Sequence, residues 1–192
     1  MGAVTIRFEA PDDDGGAIRS VVRAAFGQDV EADLVDALRA APLETLSFVA
    51  ELDGAVIRHV MLTPSLLDAP PRLVTVLALG PLAVAPEHQK QGVGRTLVAH
   101  ALREAEAAGY PLVFLEGDWN YYGRLGFRRA DALGFRAPSL RIPPPAFQVA
   151  VLRHHEQWMT GTFVYPDVFW RLDCVGLRDP ELEEVMARIE AT

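Results

Sequence analysis

The chain has 192 residues, of which 50% are hydrophobic and 23% charged, a composition typical of a globular protein with a sizeable core. Its net charge of −8 disfavours nucleic acid as a main partner, because phosphate binding requires a basic surface. A single cysteine excludes an intrachain disulfide and a cysteine-based zinc site. The chain lacks an apolar run of membrane-spanning length and a signal-peptide pattern, so we expect a cytoplasmic protein without a membrane partner.

The predicted elements begin as a mixture of strands and amphipathic helices. In chain order they are a strand at 4–9, helices at 17–26 and 30–41, and strands at 46–52 and 56–63. Asp12, Asp13 and Asp14 are candidates to cap the first helix, because short acidic side chains accept hydrogen bonds from its free N–H groups. Asp53-Gly54 is a typical two-residue turn, which predicts a hairpin between the last two strands.

A strand, a glycine-containing loop, a helix and a second strand come next. Residues 73–84 form an uncharged apolar run, which predicts a strand buried on both faces, and Gly80-Pro81 predicts a bulge within it. Apolar residues then recur at helical spacing from Val93 to Ala105, and a further apolar run follows at 111–115. Strands joined by a single crossover helix are expected to be parallel.

The loop of this unit reads Gln89-Lys90-Gln91-Gly92-Val93-Gly94. Two glycines at the entry to a helix allow backbone N–H groups to approach an anion closely. The helix dipole adds partial positive charge at the same place. The loop therefore predicts a binding site for a diphosphate.

The last part of the chain is rich in proline and its elements are shorter. We predict a short helix at 119–124, strands at 126–130, 146–152 and 161–165, and a terminal helix at 181–191. An aromatic stripe at 163–170 is expected to pack under this part, to cover a bound acceptor or to contact a second copy in a homodimer. Since no repeat or clear linker is visible, we expect one domain over residues 1–192, with a core at about 4–130 and a C-terminal extension at about 131–192.

Two motifs in this order resemble those of the GNAT superfamily of N-acetyltransferases. The pattern Gln/Arg-x-x-Gly-x-Gly/Ala is met by Gln89, Gly92 and Gly94. The pattern Tyr-x-x-Leu/Phe-Gly-Phe is met about 30 residues later by Tyr122, Leu125, Gly126 and Phe127. The resemblance covers roughly residues 4–130 and implies an α/β fold with a mostly antiparallel mixed sheet. In that fold the fourth and fifth strands are parallel and splayed, and helices cover both faces. Residues 117–122 and the proline-rich tail also resemble a bacterial subgroup of predicted acetyltransferases.

The resemblance implies acetyl-CoA as the acetyl donor, with pantetheine along the fourth strand and the diphosphate at the loop. The residues that it places at this cofactor are Leu82, Ala83, Val84, Gln89, Lys90, Gln91, Gly92, Val93, Gly94, Arg95, Thr96, Asn120 and Tyr122. The second partner is a small-molecule or peptide amine, whose identity the loops do not encode.

Acetyl transfer to an amine needs a base for the amine proton and an acid for the departing thiolate. The resemblance places Tyr122 as the acid, and a phenol of pKa about 10 can protonate the thiolate of a thiol with pKa about 8.5. Glu116, His59 and Glu51 remain open as candidate bases. Cys174 lies far along the chain from both motifs, which favours direct transfer over an acetyl-cysteine intermediate.

Two other functions remain as alternatives, and a metal site is not expected. A catalytically silent acyl-CoA sensor on the same fold would differ from an enzyme only at Tyr122 and the base. A dinucleotide-binding domain requires Gly-x-Gly-x-x-Gly after the first strand, whereas Leu97 stands at the third glycine position here. His154 and His155 are adjacent and point apart, so no metal site is predicted.

Overall fold

The computed structural model describes residues 3–89 and 93–191. Its strands are β1 (Val4–Phe8), β2 (Leu46–Leu52), β3 (Ala55–Ala69), β4 (Arg72–Val84), β5 (Leu112–Glu116), β6 (Arg128–Arg129), β7 (Phe135–Arg136), β8 (Phe147–Val151) and β9 (Gly161–Val164). Its helices are α1 (Pro11–Phe26), α2 (Val30–Ala40), α3 (Val93–Ala107), α4 (Trp119–Tyr122), α5 (Asp167–Arg171) and α6 (Glu181–Glu190). None of the helices within the described ranges is long and apolar enough to cross a membrane.

The strands form one mixed sheet. Its order is β1-β2-β3-β4-β5-β8-β6, with β9 paired to the far end of β3 and β7 paired to β9. β4 runs parallel to β5, whereas β1, β2, β3 and β4 are successively antiparallel. β8 comes from the C-terminal part of the chain yet lies between β5 and β6. The mixed, mostly antiparallel α/β sheet that was predicted is therefore confirmed.

Helices cover both faces of the sheet, as predicted. On one face, Ile18 of α1 and Leu38 of α2 pack in a cluster with Met61. On the other face, Leu97 of α3 packs in a second cluster with Val60. Met61 and Val60 are neighbours on β3 and point to opposite faces because side chains alternate along a strand. Full burial of such a side chain stabilises the fold by about 1.5–3 kcal/mol, so both helix layers hold the sheet in place.

β3 continues beyond the predicted strand at 56–63 and passes through Pro64. Proline has no N–H to donate and normally ends a ladder. On the edge of β3 that faces away from β4, pairing with β2 ends at Leu62 and pairing with β9 begins at Leu66. Pro64 lies between these two ladders, so the missing donor interrupts neither of them.

α1 begins at Pro11, earlier than predicted, and the predicted aspartate cap is wrong. Ala10 is the N-cap residue, and it makes no side-chain cap hydrogen bond. The candidates Asp12, Asp13 and Asp14 lie in the first turn instead. Asp14 is buried there and accepts a hydrogen bond of 2.7 Å from the Ala10 N–H and two from the guanidinium of Arg7. Negative charge in the first turn is favourable to the helix dipole, which accounts for the earlier start.

Candidate active site

β4 and β5 separate soon after they pair. Among the described residues, their parallel register covers only Leu77 with Val113 and Ala78 with Phe114. Beyond this point β4 continues to pair with β3, and β5 continues to pair with β8 as far as Glu116. The two strands therefore leave an opening between them, along which the edge of β4 faces no partner strand within the described part of the chain.

The predicted bulge at Gly80-Pro81 lies where the strands separate. β4 advances three residues from Leu79 to Leu82, while β3 advances two residues from Leu62 back to Val60. The additional residue on β4 is unpaired, and such a residue bends its strand and increases its twist. The bulge thus directs the end of β4 away from β5.

A cavity of about 710 Å³ lies at this opening, on the side of α1 and α2. Its walls come from the turn between these helices, the bulge, the end of β5 and parts of the segment 165–181. The apolar side chains that line it include Phe26, Val30, Leu34, Leu79, Phe169, Leu172 and Leu177. Its carboxylates are those of Glu31, Glu116, Asp173 and Glu181. A concave site with apolar walls and a few polar groups is typical of small-molecule binding.

Glu116 is the titratable group at the end of β5 in this cavity. Burial raises the pKa of its carboxyl to about 7, while the Tyr165 hydroxyl, the Gly176 amide and the charge of Arg141 oppose the rise. Oε2 accepts a hydrogen bond of 2.9 Å from the Gly176 N–H. Oε1 is buried without a hydrogen-bond partner among the described residues. A carboxylate in this state can accept a proton near neutral pH.

The residues that surround Glu116 come from the C-terminal part of the chain, of which only the aromatic stripe was connected with the site, as one possible cover for a bound acceptor. Tyr165 is almost fully buried and was predicted only as part of an aromatic stripe. Gly176 has φ +64°, and a Cβ there would lie 2.7 Å from the backbone carbonyl of Arg141, so this position requires glycine. The aromatic spacing was the one signal that pointed to this segment.

Tyr122 lies on α4 and lines the same cavity as Glu116. Its ring covers Gly117, where a Cβ would lie 2.6 Å from Cε2 of Tyr122. The ring also packs edge-on against Phe127, with centroids 5.7 Å apart. Burial raises the pKa of the Tyr122 phenol above its usual value, and the nearby Tyr121 and Asp118 raise it further. The hydroxyl is therefore protonated at neutral pH and can serve as a proton donor.

Cys174 also lines the cavity, although we expected it far from the motifs. The fold of the C-terminal part brings it there. Burial raises the pKa of its thiol to about 11, and Sγ donates a hydrogen bond of 3.4 Å to the Leu172 carbonyl. Since the thiolate is the nucleophilic form, the thiol at this position is a poor nucleophile at neutral pH.

His59 and Glu51 are not brought to this cavity. His59 is fully buried within the sheet, where Nε2 lies 2.9 Å from Oγ of Ser47 and 3.7 Å from the carboxylate of Glu9. Burial lowers the pKa of its imidazole. Glu51 accepts two hydrogen bonds of 2.9 Å from the guanidinium of Arg7. Both side chains are engaged in contacts with β1 and β2, away from Glu116 and Tyr122.

The residues expected at the diphosphate are described in part. Lys90, Gln91 and Gly92 lie outside the described residues, as does the side chain of Val93. Gln89 precedes them, and its side-chain amide donates a hydrogen bond of 3.1 Å to the Val84 carbonyl. Gly94 lies in the first turn of α3, where an added Cβ would collide with the hydroxyl of Tyr121.

The other expected cofactor residues lie on β4, α3 and α4. Leu82, Ala83 and Val84 form the end of β4 beyond the bulge, and Arg95 and Thr96 are exposed in the first turn of α3. Asn120 is exposed at the start of α4, where its N–H donates a hydrogen bond of 2.8 Å to Asp118. Within the described ranges, His, Cys, Asp and Glu side chains form no cluster of three or more that could hold a metal ion.

Comparison with known proteins places this arrangement in a family. The model of the acetyltransferase (GNAT) family matches residues 17–127. The "Uncharacterized N-acetyltransferase YjhQ" of Escherichia coli (strain K12) is 37% identical over 134 residues, which are 65% of this chain and 71% of that protein.

Two solved structures share most of the fold. The GNAT family N-acetyltransferase YhbS from Escherichia coli, in complex with CoA, has a TM-score of 0.81 and 33% identity over 89% of this chain and 94% of its own. A GNAT family acetyltransferase from Brucella melitensis, in complex with acetyl-CoA, has a TM-score of 0.71 and 32% identity over 88% of this chain and 99% of its own. The chain described here, with its splayed parallel strands and its partly buried tyrosine and glutamate at their opening, belongs to the GNAT family of N-acetyltransferases.

Proposed function

We propose that this protein is an acetyl-CoA-dependent enzyme that transfers an acetyl group directly to a primary amine in a ternary complex. The observation that carries the proposal is the shared cavity of Glu116 and Tyr122 at the opening between β4 and β5. One of these groups can take up a proton near pH 7 and the other keeps its proton there. The CoA and acetyl-CoA complexes of the two structural relatives support the choice of donor.

The described residues fit such a donor at two places. The edge of β4 beyond Ala78 has no partner strand within the described residues, which suits the amide groups of a pantetheine arm. We assign Leu82, Ala83 and Val84 to this contact, and we keep Asn120 of α4 as a further contact of the cofactor on the ground of the family resemblance alone. The start of α3 suits the diphosphate, because free N–H groups and the helix dipole attract an anion. Gln89, Gly94, Arg95 and Thr96 are assigned to it, together with residues 90–93.

The two side chains in the cavity would divide the proton transfers between them. Acetyl-CoA supplies the acetyl group from its thioester. Glu116 accepts the proton that the acceptor amine loses as its nitrogen forms the new C–N bond. The Tyr122 hydroxyl donates its proton to the sulfur when the C–S bond breaks, which releases CoA as a thiol. The raised pKa of Cys174 supports direct transfer, because a covalent route would need its thiolate.

The C-terminal part of the chain belongs to the same folding unit in this proposal. β8 lies inside the sheet between β5 and β6, and residues 165–178 supply Tyr165, Gly176 and much of the cavity wall. The acceptor would therefore contact the extension as well as the core at 4–130.

Acetyl-CoA should raise the melting temperature of the protein. At about 100-fold excess over its Kd, a ligand that binds only the folded state adds about 2.7 kcal/mol, which corresponds to roughly 5–10 °C for a chain of this size. Differential scanning fluorimetry with acetyl-CoA, and with NAD as the dinucleotide control, measures this shift. A shift with NAD and none with acetyl-CoA would contradict the proposed donor.

Thiol release in the presence of a panel of amines then separates an enzyme from a sensor. An enzyme releases CoA faster with at least one amine, whereas a sensor binds acetyl-CoA and releases none. Binding of acetyl-CoA without CoA release for any class of amine would contradict the proposed catalysis and leave the binding proposal intact.

Substitution of Gly94 by valine should weaken acetyl-CoA binding by about tenfold or more. This is the affinity that is lost with one well-placed hydrogen bond to a charged group. The added side chain collides with Tyr121 and occupies the start of α3. Gly16→Val is the matched control, because a Cβ at Gly16 of α1 has no neighbour within 4 Å. Isothermal titration calorimetry measures both Kd values. Equal affinity in the two variants would remove the start of α3 from the binding site.

A further inference from the structure

Arg58 is a buried charge that the proposed chemistry does not use. It lies on β3, in register with Val84 at the end of β4, and it is 1% exposed. Nη2 makes a long hydrogen bond of 3.5 Å to the backbone carbonyl of His88. Nε and Nη1 are buried and have no hydrogen-bond partner among the described residues. A guanidinium keeps its charge at all ordinary pH values, so this cation has no compensating charge among the described residues.

The neighbours of Arg58 place this cation beneath the start of α3. Side chains alternate along β3, and Val60, two residues on, packs in the cluster that contains Leu97 of α3. Tyr121 is close enough for its phenol to raise the pKa of Arg58 against the effect of burial. The hydroxyl of the same Tyr121 touches the position of a Cβ on Gly94. Tyr121 therefore neighbours the first turn of α3 and lies within electrostatic range of Arg58.

A cation at this place is unfavourable in the free protein for two reasons. Removing a charge from water is unfavourable unless it is paired, and none of the ion pairs between described residues includes Arg58. The N-terminal end of a helix carries partial positive charge, which repels a second positive charge. An anion bound at the start of α3 removes both penalties at once.

We propose that Arg58 is the buried counter-charge of the cofactor diphosphate, acting from beneath the start of α3. This inference rests on the proposed acetyl-CoA site. It assigns a binding and positioning role to Arg58, whose charge increases affinity for the diphosphate and not for the pantetheine arm.

The test compares ligands that differ in their phosphates. Arg58→Met removes the charge with little change in volume, and Arg58→Lys keeps it. Calorimetry with Arg58→Met should show a Kd about 10- to 100-fold higher for CoA and for dephospho-CoA, which both carry the diphosphate. The kcat/KM for S-acetylpantetheine, which lacks it, should stay within about twofold of wild type. Arg58→Lys should restore most of the affinity.

Thermal stability gives a second, independent measurement. Without ligand, Arg58→Met should melt at the same temperature as wild type or higher, because an unpaired buried charge is replaced by an apolar side chain. The increase in melting temperature caused by CoA should be smaller in this variant. Arg39→Met is the matched control: Arg39 is paired with Glu9 and Asp36, so this variant should lose stability and keep the wild-type ratio of CoA to pantetheine affinity.

Each other outcome counts against the proposal. Unchanged CoA affinity in Arg58→Met, or an equal loss for acetylpantetheine, assigns Arg58 a purely structural role. If Arg58→Met loses affinity for CoA but not for dephospho-CoA, the charge of Arg58 acts on the 3′-phosphate and not on the diphosphate. A marked fall in the melting temperature of ligand-free Arg58→Met shows that the cation is already compensated. Failure of wild type to bind CoA contradicts the acetyl-CoA site itself and is thereby distinguished from failure of the Arg58 assignment.

Discussion

Glu116→Gln should lower kcat by about 100-fold or more at pH 7.5 with any amine found by thiol release, which is the usual contribution of a general base. Glutamine keeps an oxygen that can accept the Gly176 N–H, as Oε2 of the carboxylate does at 2.9 Å. It cannot take a proton from the acceptor. The Kd for acetyl-CoA should be unchanged, because the donor contacts assigned to β4 and α3 do not involve this side chain.

The pH dependence should identify the same group. Glu116 acts as a base only when ionised, and burial raises its pKa to about 7. The kcat/KM of wild type should therefore rise with pH up to about 7 and level off above it, until another group titrates. In Glu116→Gln this rise of kcat/KM with pH, the acidic limb of the profile, should be absent. Glu51→Gln removes a carboxylate that is bound to Arg7 outside the cavity, and it should keep the limb.

Stability provides a check on Glu116 that does not depend on an acceptor. Its pKa is higher in the folded protein than the usual 4.5, so the folded state binds this proton more tightly than the unfolded state. Ionisation therefore destabilises the fold as pH rises from about 4.5 to about 7, by an upper limit of about 3 kcal/mol. Glu116→Gln should melt higher than wild type at pH 8, and the difference should shrink toward pH 4.5. A pH-independent difference, together with an intact kinetic limb, would show that Glu116 is not the base.

Much of the fold was predictable because local patterns and global structure agree. Asp53-Gly54 forms the predicted turn with both φ values positive, 51° and 82°. The apolar run at 73–84 became β4, with its bulge where Gly80-Pro81 interrupts it. The extension of β3 through Pro64 was not predictable, since it depends on where β2 and β9 stop pairing.

The candidate site likewise has a part that could be predicted from the sequence and a part that could not. Glu116 was named from its position at the end of the predicted fifth strand, and Tyr122 was named from the resemblance to the family motif. Tyr165 was named only within the aromatic stripe, for which covering a bound acceptor was one of three expectations. Gly176 was not assigned to the site, because its contact with Glu116 joins residues 60 positions apart and leaves no period in the sequence. The same holds for Cys174, which only the folded C-terminal part brings to the cavity. Arg58 did leave a signal, a charge within the apolar stretch 56–62, but its position beneath α3 required the structure.

Tyr122→Phe should lower kcat by about 100-fold while the Kd for acetyl-CoA changes by less than about threefold, because the phenol acts on the leaving thiolate and the ring is kept. The ring is fixed by Gly117 and by Phe127, so phenylalanine can occupy the same place. Stability should change little or increase slightly, since the hydroxyl is buried and polar.

Varying the leaving thiol of the donor tests whether Tyr122 acts as an acid or only packs in the cavity. A donor whose thiol has a low pKa, such as an acetyl thioester of an aromatic thiol on a pantetheine-like arm, needs less protonation as it leaves. The loss caused by Tyr122→Phe should therefore become several-fold smaller with that donor than with acetyl-CoA. Tyr110→Phe is the control, because it deletes a hydroxyl in the cluster around α3, away from the cavity. This variant should show normal rates with both donors. An equal loss with both donors in Tyr122→Phe would mean that Tyr122 shapes the cavity without transferring a proton, and the acid would have to be sought at Tyr121 or in solvent.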